Sequence, residues 1–335
     1  MTVPAVSILL PARNEARHLP AALDSLYRQT LKEWELVAVD DHSSDETPDI
    51  LARAAARDSR IRVVSPTAPG LVNALNAGLA QCRSSFVARM DGDDIAHPRR
   101  LELQHSFLLE HSEVGVLSSR FRHFPRTHLR VGMLAYESWQ NGLMSHEEMM
   151  RDLFVESPVV HPSVMFRKAL VQGVGGYRDM GWAEDYDLWL RLAAAGARFA
   201  RLPETLLFWR DHPSRFTRTS SSCSADAFRA CKVHHLKEQF LSATDEVTLA
   251  GAGQEGRAWH RTLAAAGIRV SRWIDVDPRK VGRMLHGAPV LGTADVRPGE
   301  GKMLLTVGTR GARDAVREWA IGAGFQEGTD FICVT

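Results

Sequence analysis

VSILLPARNEARHLPAALDSLYRQTLKEWELVAVDDHSSDETPD, residues 6–49, changes period twice. The runs VSILLPA and WELVAVDD are short and rich in aliphatic and β-branched residues, as strands buried on both faces are. Between them Leu19, Ala22, Leu23, Leu26 and Tyr27 recur on one helical face. A strand, a helix and a second strand in that order form a βαβ unit, with parallel strands and a right-handed crossover. IRVVSP and FVARMD continue the alternation to residue 90. An α/β fold with a mostly parallel sheet flanked by helices is therefore expected. Thr47 reads as an N-cap with Pro48 in the first helical position, so DDHSSDE joins a strand's carboxyl end to a helix.

RMDGDDIAHP, residues 89–98, ends another such strand with three acids, Asp91, Asp93 and Asp94. Carboxylates that close repel unless a cation, hydrogen bonds or water absorb the charge. In open α/β sheets ligands bind at the carboxyl ends of strands, and Asp40 and Asp41 lie at the same edge as this cluster. Asp91-Gly92-Asp93 can aim two carboxylates at one divalent ion, Gly92 allowing the tight turn. An acidic turn whose side chains cap backbone groups is the alternative, with Asp94 capping the next segment. A calcium loop lacks its required later Gly and Glu. Arg89 is expected to pair with the cluster.

Lys plus Arg (41) nearly equals Asp plus Glu (40), which argues against a nucleic-acid binder or a strongly cationic membrane binder. The scattered Cys82, Cys223, Cys231 and Cys333 read as free thiols in a reducing compartment. The N-terminus has no basic lead and no run long enough for a membrane helix, so a cytoplasmic protein is expected. From 100 to 240 the pattern loosens. Helices are expected from Pro98 to about His111, from His146 to Val155, and through EDYDLWLRL to Gly196. HPSVMFRK should be a strand, and residues 209–224 a mobile polar loop. At 245 strand–helix alternation restarts, which divides the chain into residues 1–242 and 243–335.

VSILLPARNEARHLPAALDSL, WELVAVDDHSSDET, GLVNALNAGLA, MDGDD and WAEDYDLWLRL, in that order, resemble a bacterial family 2 glycosyltransferase of the GT-A fold. The resemblance spans roughly residues 3–220. It implies transfer of a sugar from a nucleotide donor, with inversion, to a glycan or lipid-linked glycan, on or near the inner face of a membrane. It implies that Asp93 is the more direct ligand of a Mn2+ or Mg2+ ion, with Asp91 nearer the ribose or a metal-bound water. Pro11, Arg13, Asn14, Glu15 and Asp41 would border the nucleoside, and a carboxylate at Asp41 accepting a uracil imide N–H favours a UDP donor. Asn14 and Glu15 could equally start a helix. The resemblance makes Asp185 the general base and Glu184 its neighbour. An acceptor hydroxyl needs such a base, although Asp185 could also merely cap its helix. Trp182, His161, Arg210, His212 and Arg215 are candidates for acceptor or diphosphate contacts, against core, structural or solvated roles.

GAGQEG carries Gly251, Gly253 and Gly256 after an apolar strand, with Asp275 nineteen residues beyond Gly256. That is the dinucleotide fingerprint in its required context. Only about 60 residues lie beyond Asp275, too few for a complete dinucleotide fold and a substrate domain. The unit resembles small Rossmann-like domains attached to some sugar-modifying enzymes, and a nucleotide is its candidate ligand. Two other functions remain open on sequence alone: an NAD-dependent oxidoreductase working through this motif, and a non-catalytic nucleotide-sugar-binding protein.

Overall fold

The computed structural model describes residues 3–308 and 311–335. It forms two compact units, one of Met1–Met149, Pro158–Met180 and Glu184–Thr219, the other of Met150–Ser157, Gly181–Ala183 and Ser220–Thr335. The first carries strands β1 (Val6–Ala12), β2 (Trp34–Asp40), β3 (Ile61–Val64), β4 (Phe86–Arg89), β5 (Ile95–Ala96), β6 (Val114–Phe124), β7 (Met165–Arg167) and β8 (Arg198–Arg210). Its helices are α1 (Leu19–Tyr27), α2 (Thr47–Arg57), α3 (Leu71–Gln81), α4 (Arg100–Glu110), α5 (Val131–Gly142), α6 (His146–Arg151), α7 (Lys168–Gly173), α8 (Glu184–Ala194) and α9 (Phe216–Thr219), α6 running into the segment that packs with the second unit.

The strands lie in the order β3-β2-β1-β4-β7-β6-β8-β5. β1 to β4 are parallel, as the opening alternation requires. β7 runs antiparallel to both β4 and β6, so the sheet becomes mixed where the sequence pattern loosens. Along β1 every residue is buried. Ile8 and Leu10 join Leu19, Leu23 and Leu26 of α1 and Leu51 of α2. The other face meets α3 at Gly78, where a Cβ would lie 2.3 Å from Leu9 Cδ1 and 2.7 Å from Val39 Cγ2.

Two local expectations change. Thr47 is already helical, and its hydroxyl accepts from the Glu15 N–H (2.8 Å), while Asp45 Oδ1 accepts from the Thr47 N–H (2.9 Å). The segment from 209 is not a free loop at its start. Trp209 and Arg210 complete β8 by pairing with His123 and Phe124 of β6, and α9 and a 3-10 turn at Ser221–Cys223 come next.

The second unit contains α10 (Ala225–Glu238), β9 (Glu246–Ala250), α11 (Gln254–Ala265), β10 (Arg269–Ile274), β11 (Met284–Leu285), β12 (Ala288–Leu291), β13 (Met303–Leu305), α12 (Ala312–Gly322) and β14 (Phe331–Cys333). Its sheet order is β11-β12-β10-β9-β13-β14, parallel except for β11. Trp259, Trp273, Leu249, Leu304 and Phe331 fill its core. Residues 150–157 pack here through Asp152, 2.7 Å from Arg317 Nη2, and through Lys232 Nζ, which donates to Val155 O (2.7 Å) and Val334 O (3.1 Å). The four cysteines are free, and among the described residues no helix is long and apolar enough to cross a membrane.

Candidate active site

Three loops meet at the carboxyl ends of β1, β2 and β4. The first two are laced together. The Asn14 N–H donates to Ser43 Oγ (3.0 Å) and the Ala16 N–H to Asp45 Oδ2 (3.0 Å), while Asn14 Oδ1 accepts from the Ser44 N–H (2.8 Å). Asn14 takes φ 56°, a left-handed turn that asparagine tolerates. Pro11 is buried within β1, whereas Arg13 is exposed beyond it. Asp41 is buried: Oδ1 accepts from the Gly70 N–H (2.8 Å), and Oδ2 faces Arg13 Nη1 at 3.7 Å.

The third loop carries the acids. Gly92 sits against the first loop, since a Cβ there would touch Glu15 Cγ at 3.4 Å. Ligand oxygens of Asp91, Asp93 and Asp94 lie within 4.8 Å of one another. Basic side chains surround them: Asp91 pairs with the buried Arg89, Asp93 Oδ2 lies 2.8 Å from His212 Nε2, and Arg210 Nε donates to Asp93 O (2.6 Å). Asp94 is fully buried, with Oδ1 accepting from the Arg210 N–H (2.8 Å) and Oδ2 without a hydrogen-bond partner. Burial, then the charges of Asp93 and Asp91, push the Asp94 carboxyl well above its ordinary range and that of Glu15 up to about 8. A surplus of hard oxygen donors with one orphaned carboxylate oxygen fits a Mg2+ or Mn2+ ion.

Glu184 and Asp185 open α8. Burial and then the Glu184 charge raise the Asp185 carboxyl to about 6, near the range useful to a general base. Burial also raises Glu184, which lies close enough to Arg89 and Asp91 to feel both charges. His161 is buried between Glu184 and Tyr177, Nδ1 standing 3.6 Å from Glu184 Oε1 and Nε2 2.9 Å from the Tyr177 hydroxyl. Burial lowers His161 to about 3, so it is neutral and faces protein groups. Arg215 is buried with its guanidinium 4.1 Å over the Trp209 ring. Trp182 belongs to the second unit, its ring centroid 5.4 Å from that of His234.

Several contributors carry no motif of their own. Arg100 lies fully buried in α4 and donates to Arg89 O (2.7 Å), fixing the strand end beneath the acids. Asn76 holds the Tyr177 backbone by two bonds, N–H to Oδ1 (3.0 Å) and Nδ2 to O (2.9 Å). The His18 ring lies 4.9 Å from that of His212. The only sequence signal for Asn76 is a polar residue among the apolar positions of LVNALNAGLA. In the second unit Asp275 Oδ2 accepts from the Ala252 N–H (3.0 Å) and Lys280 Nζ (2.8 Å), and Oδ1 from the Asp277 N–H (2.9 Å).

Residues 7–175 match the family model described as Glycosyl transferase family 2. The chain is 33% identical over 203 residues to the amylovoran biosynthesis glycosyltransferase AmsE of Erwinia amylovora, covering 60% of this chain and 74% of that one. It is 26% identical over 245 residues to the UDP-Gal:alpha-D-GlcNAc-diphosphoundecaprenol beta-1,3-galactosyltransferase of Escherichia coli, covering 72% and 87%. Among solved structures, that of S. aureus TarS 1-349 in complex with UDP-GlcNAc superposes with a TM-score of 0.55 over 78% of this chain and 70% of that one, at 18% identity. At that identity the likeness is one of fold.

Proposed function

The chain belongs to glycosyl transferase family 2 and its first unit has the GT-A fold; from that premise we propose an inverting transfer of a sugar from a UDP-linked donor to a hydroxyl of a glycan or lipid-linked glycan. One observation carries this reading: the acidic turn, the Asp41 loop and the Glu184–Asp185 pair lie at one end of one sheet, with Asp91 and Arg89 acting electrostatically on Glu184. The UDP donor and lipid-linked acceptor in the name of the Escherichia coli relative agree with it.

Asp41 and Arg13 border the nucleoside, and Asp41 presents its Oδ2 edge because Oδ1 is occupied by Gly70. Asp93 and Asp91 would hold a divalent ion. When bound, such an ion stabilises the negative charge gathering on the leaving diphosphate. Arg210 and His212 keep the turn in place, Arg210 through Asp93 O and His212 through Asp93 Oδ2. Asp185 takes the proton of the acceptor hydroxyl, whose oxygen attacks the anomeric carbon as the bond to the diphosphate breaks. One displacement inverts that carbon. His161 and Tyr177 hold Glu184 behind the base.

The test is a thermal-shift series of the full chain with UDP, GDP, dTDP and CDP, each with and without Mn2+. A ligand that binds only the folded state at a hundredfold excess over its Kd stabilises by about 2.7 kcal/mol. A Mn2+-dependent shift with UDP, lost in Asp93→Ala and kept in Asp185→Asn, is expected. If no nucleotide gives a metal-dependent shift, the reading fails; a shift with GDP alone keeps the transferase and corrects the donor.

A further inference from the structure

The second unit has a crevice of its own. β9 pairs with β10 on one side and β13 on the other, so the connections diverge at its carboxyl end. In open parallel sheets such a switch point leaves a gap that ligands occupy. A cavity of about 890 Å3 opens there, walled by Ile274, Val276, Val307, Val316 and Trp319, with Gly253 at its edge. Val276 stands 81% exposed, an apolar side chain with nothing over it. A second cavity of about 710 Å3 shares Gly253, Gln254, Glu255 and Lys280 with the first, and adds Arg257 and Arg261. Among the described residues neither arginine has an ion-pair partner.

The glycines separate fold from ligand. Gly251 has φ +112°, and a Cβ on Gly256 would lie 1.9 Å from Gly251 O, so chain geometry requires both. Gly253 is different. Its φ is −88°, and a Cβ there would meet nothing within 4 Å. Glycine is a favoured N-cap there, opening α11, and its bare backbone also leaves room for a ligand to lie against it. Asp275 accepts from Ala252, Asp277 and Lys280 and so braces the crevice wall.

We propose that this crevice binds a nucleoside diphosphate independently of the transferase site, its heterocycle against Val276 and Val307 and its phosphates beside Gly253, facing Lys280 and Arg257. The apolar wall suits a flat ring, and Arg257 and Arg261 in the adjoining cavity, which also holds Asp226 and Glu255, suit the charge carried next to it. No metal is needed, because Arg257 and Arg261, which pair with no carboxylate among the described residues, supply the countercharge. That separates this site from the acidic turn, which cannot hold a diphosphate without a cation.

Titration calorimetry of the full chain with UDP, ADP, GDP and NAD in excess EDTA tests this. One equivalent of a nucleoside diphosphate is expected to bind, with the same affinity in Asp93→Ala. Gly253→Val, whose Cβ meets no protein atom within 4 Å, and Arg257→Glu should each weaken it by at least about tenfold. Metal-dependent donor binding in Gly253→Val should stay unchanged, which also reports that the variant is folded. The proposal is overturned if no nucleotide binds without metal, if both variants bind as the parent does, or if only NAD binds. Loss of metal-dependent binding alone would count against the transferase reading and leave this one standing.

Discussion

At the residue scale the decisive group is Asp185, the base we propose. Its carboxyl is raised to about 6 by burial and by Glu184, and a base must be deprotonated to work. Below that pH the acid form dominates and each further pH unit removes tenfold of the competent form. We therefore expect kcat/KM to rise with slope one up to about pH 6 and then level, since the free enzyme's base controls that ratio. Asp185→Asn should lower the rate by about 10²–10⁴-fold and erase this limb while donor binding persists. A limb that survives the substitution would assign the titration, and the base, to another group. The place of Glu184 and Asp185 at a helix start is legible in EDYDLWLRL, and α8 begins there. The contacts of Asn76, which lies in GLVNALNAGLA, and of Tyr177 and Arg100 are not legible, because each acts through a partner 11 to 101 residues away, and sequence spacing carries no trace of such contacts.

At the element scale the parallel half of the sheet can be read directly, since its strands are rich in apolar residues and alternate with helices that have one apolar face. β7 falls within HPSVMFRK, where a strand is expected, but its antiparallel direction and the long β8 cannot be read. β8 alternates buried and exposed stretches with register shifts against β6, and the polar Arg210 at its end serves the acidic turn. Close packing in the legible half still depends on one small residue. Gly78→Val would drive a branched side chain into Leu9 and Val39, at points where even a Cβ lies 2.3 and 2.7 Å away. Overpacking of this kind costs about 1–3 kcal/mol. Urea denaturation should show the loss as a lower midpoint. An unchanged midpoint would mean that α3 moves off the sheet freely, and with it Gly70, whose N–H holds Asp41.

At the scale of the whole molecule, chain order and packing part company. Strand–helix alternation restarts near residue 245, but residues 150–157 and 220–242 pack with residues 243–335. The earlier of these segments is held by Asp152, nearly fully buried, with Arg317 Nη2 at 2.7 Å and Arg313 Nη1 at 3.9 Å. Arg317 in turn reaches Glu327 at 3.0 Å, so the carboxylate sits in a small network. Removing one partner of a buried pair leaves the other charge desolvated, at a cost of about 3–5 kcal/mol. Asp152→Ala should therefore destabilise the chain by several times what loss of an exposed pair such as Arg198–Glu147 would. A double-mutant cycle with Arg317→Met isolates the link, because residues in direct contact show coupling of about 0.5–3 kcal/mol. Coupling in that range, together with new protease cleavage between residues 150 and 157 in Asp152→Ala, is the expected outcome. Strict additivity would mean that the segment docks through the Lys232 bonds to Val155 and Val334 instead, and Lys232→Met would then be the variant that releases it.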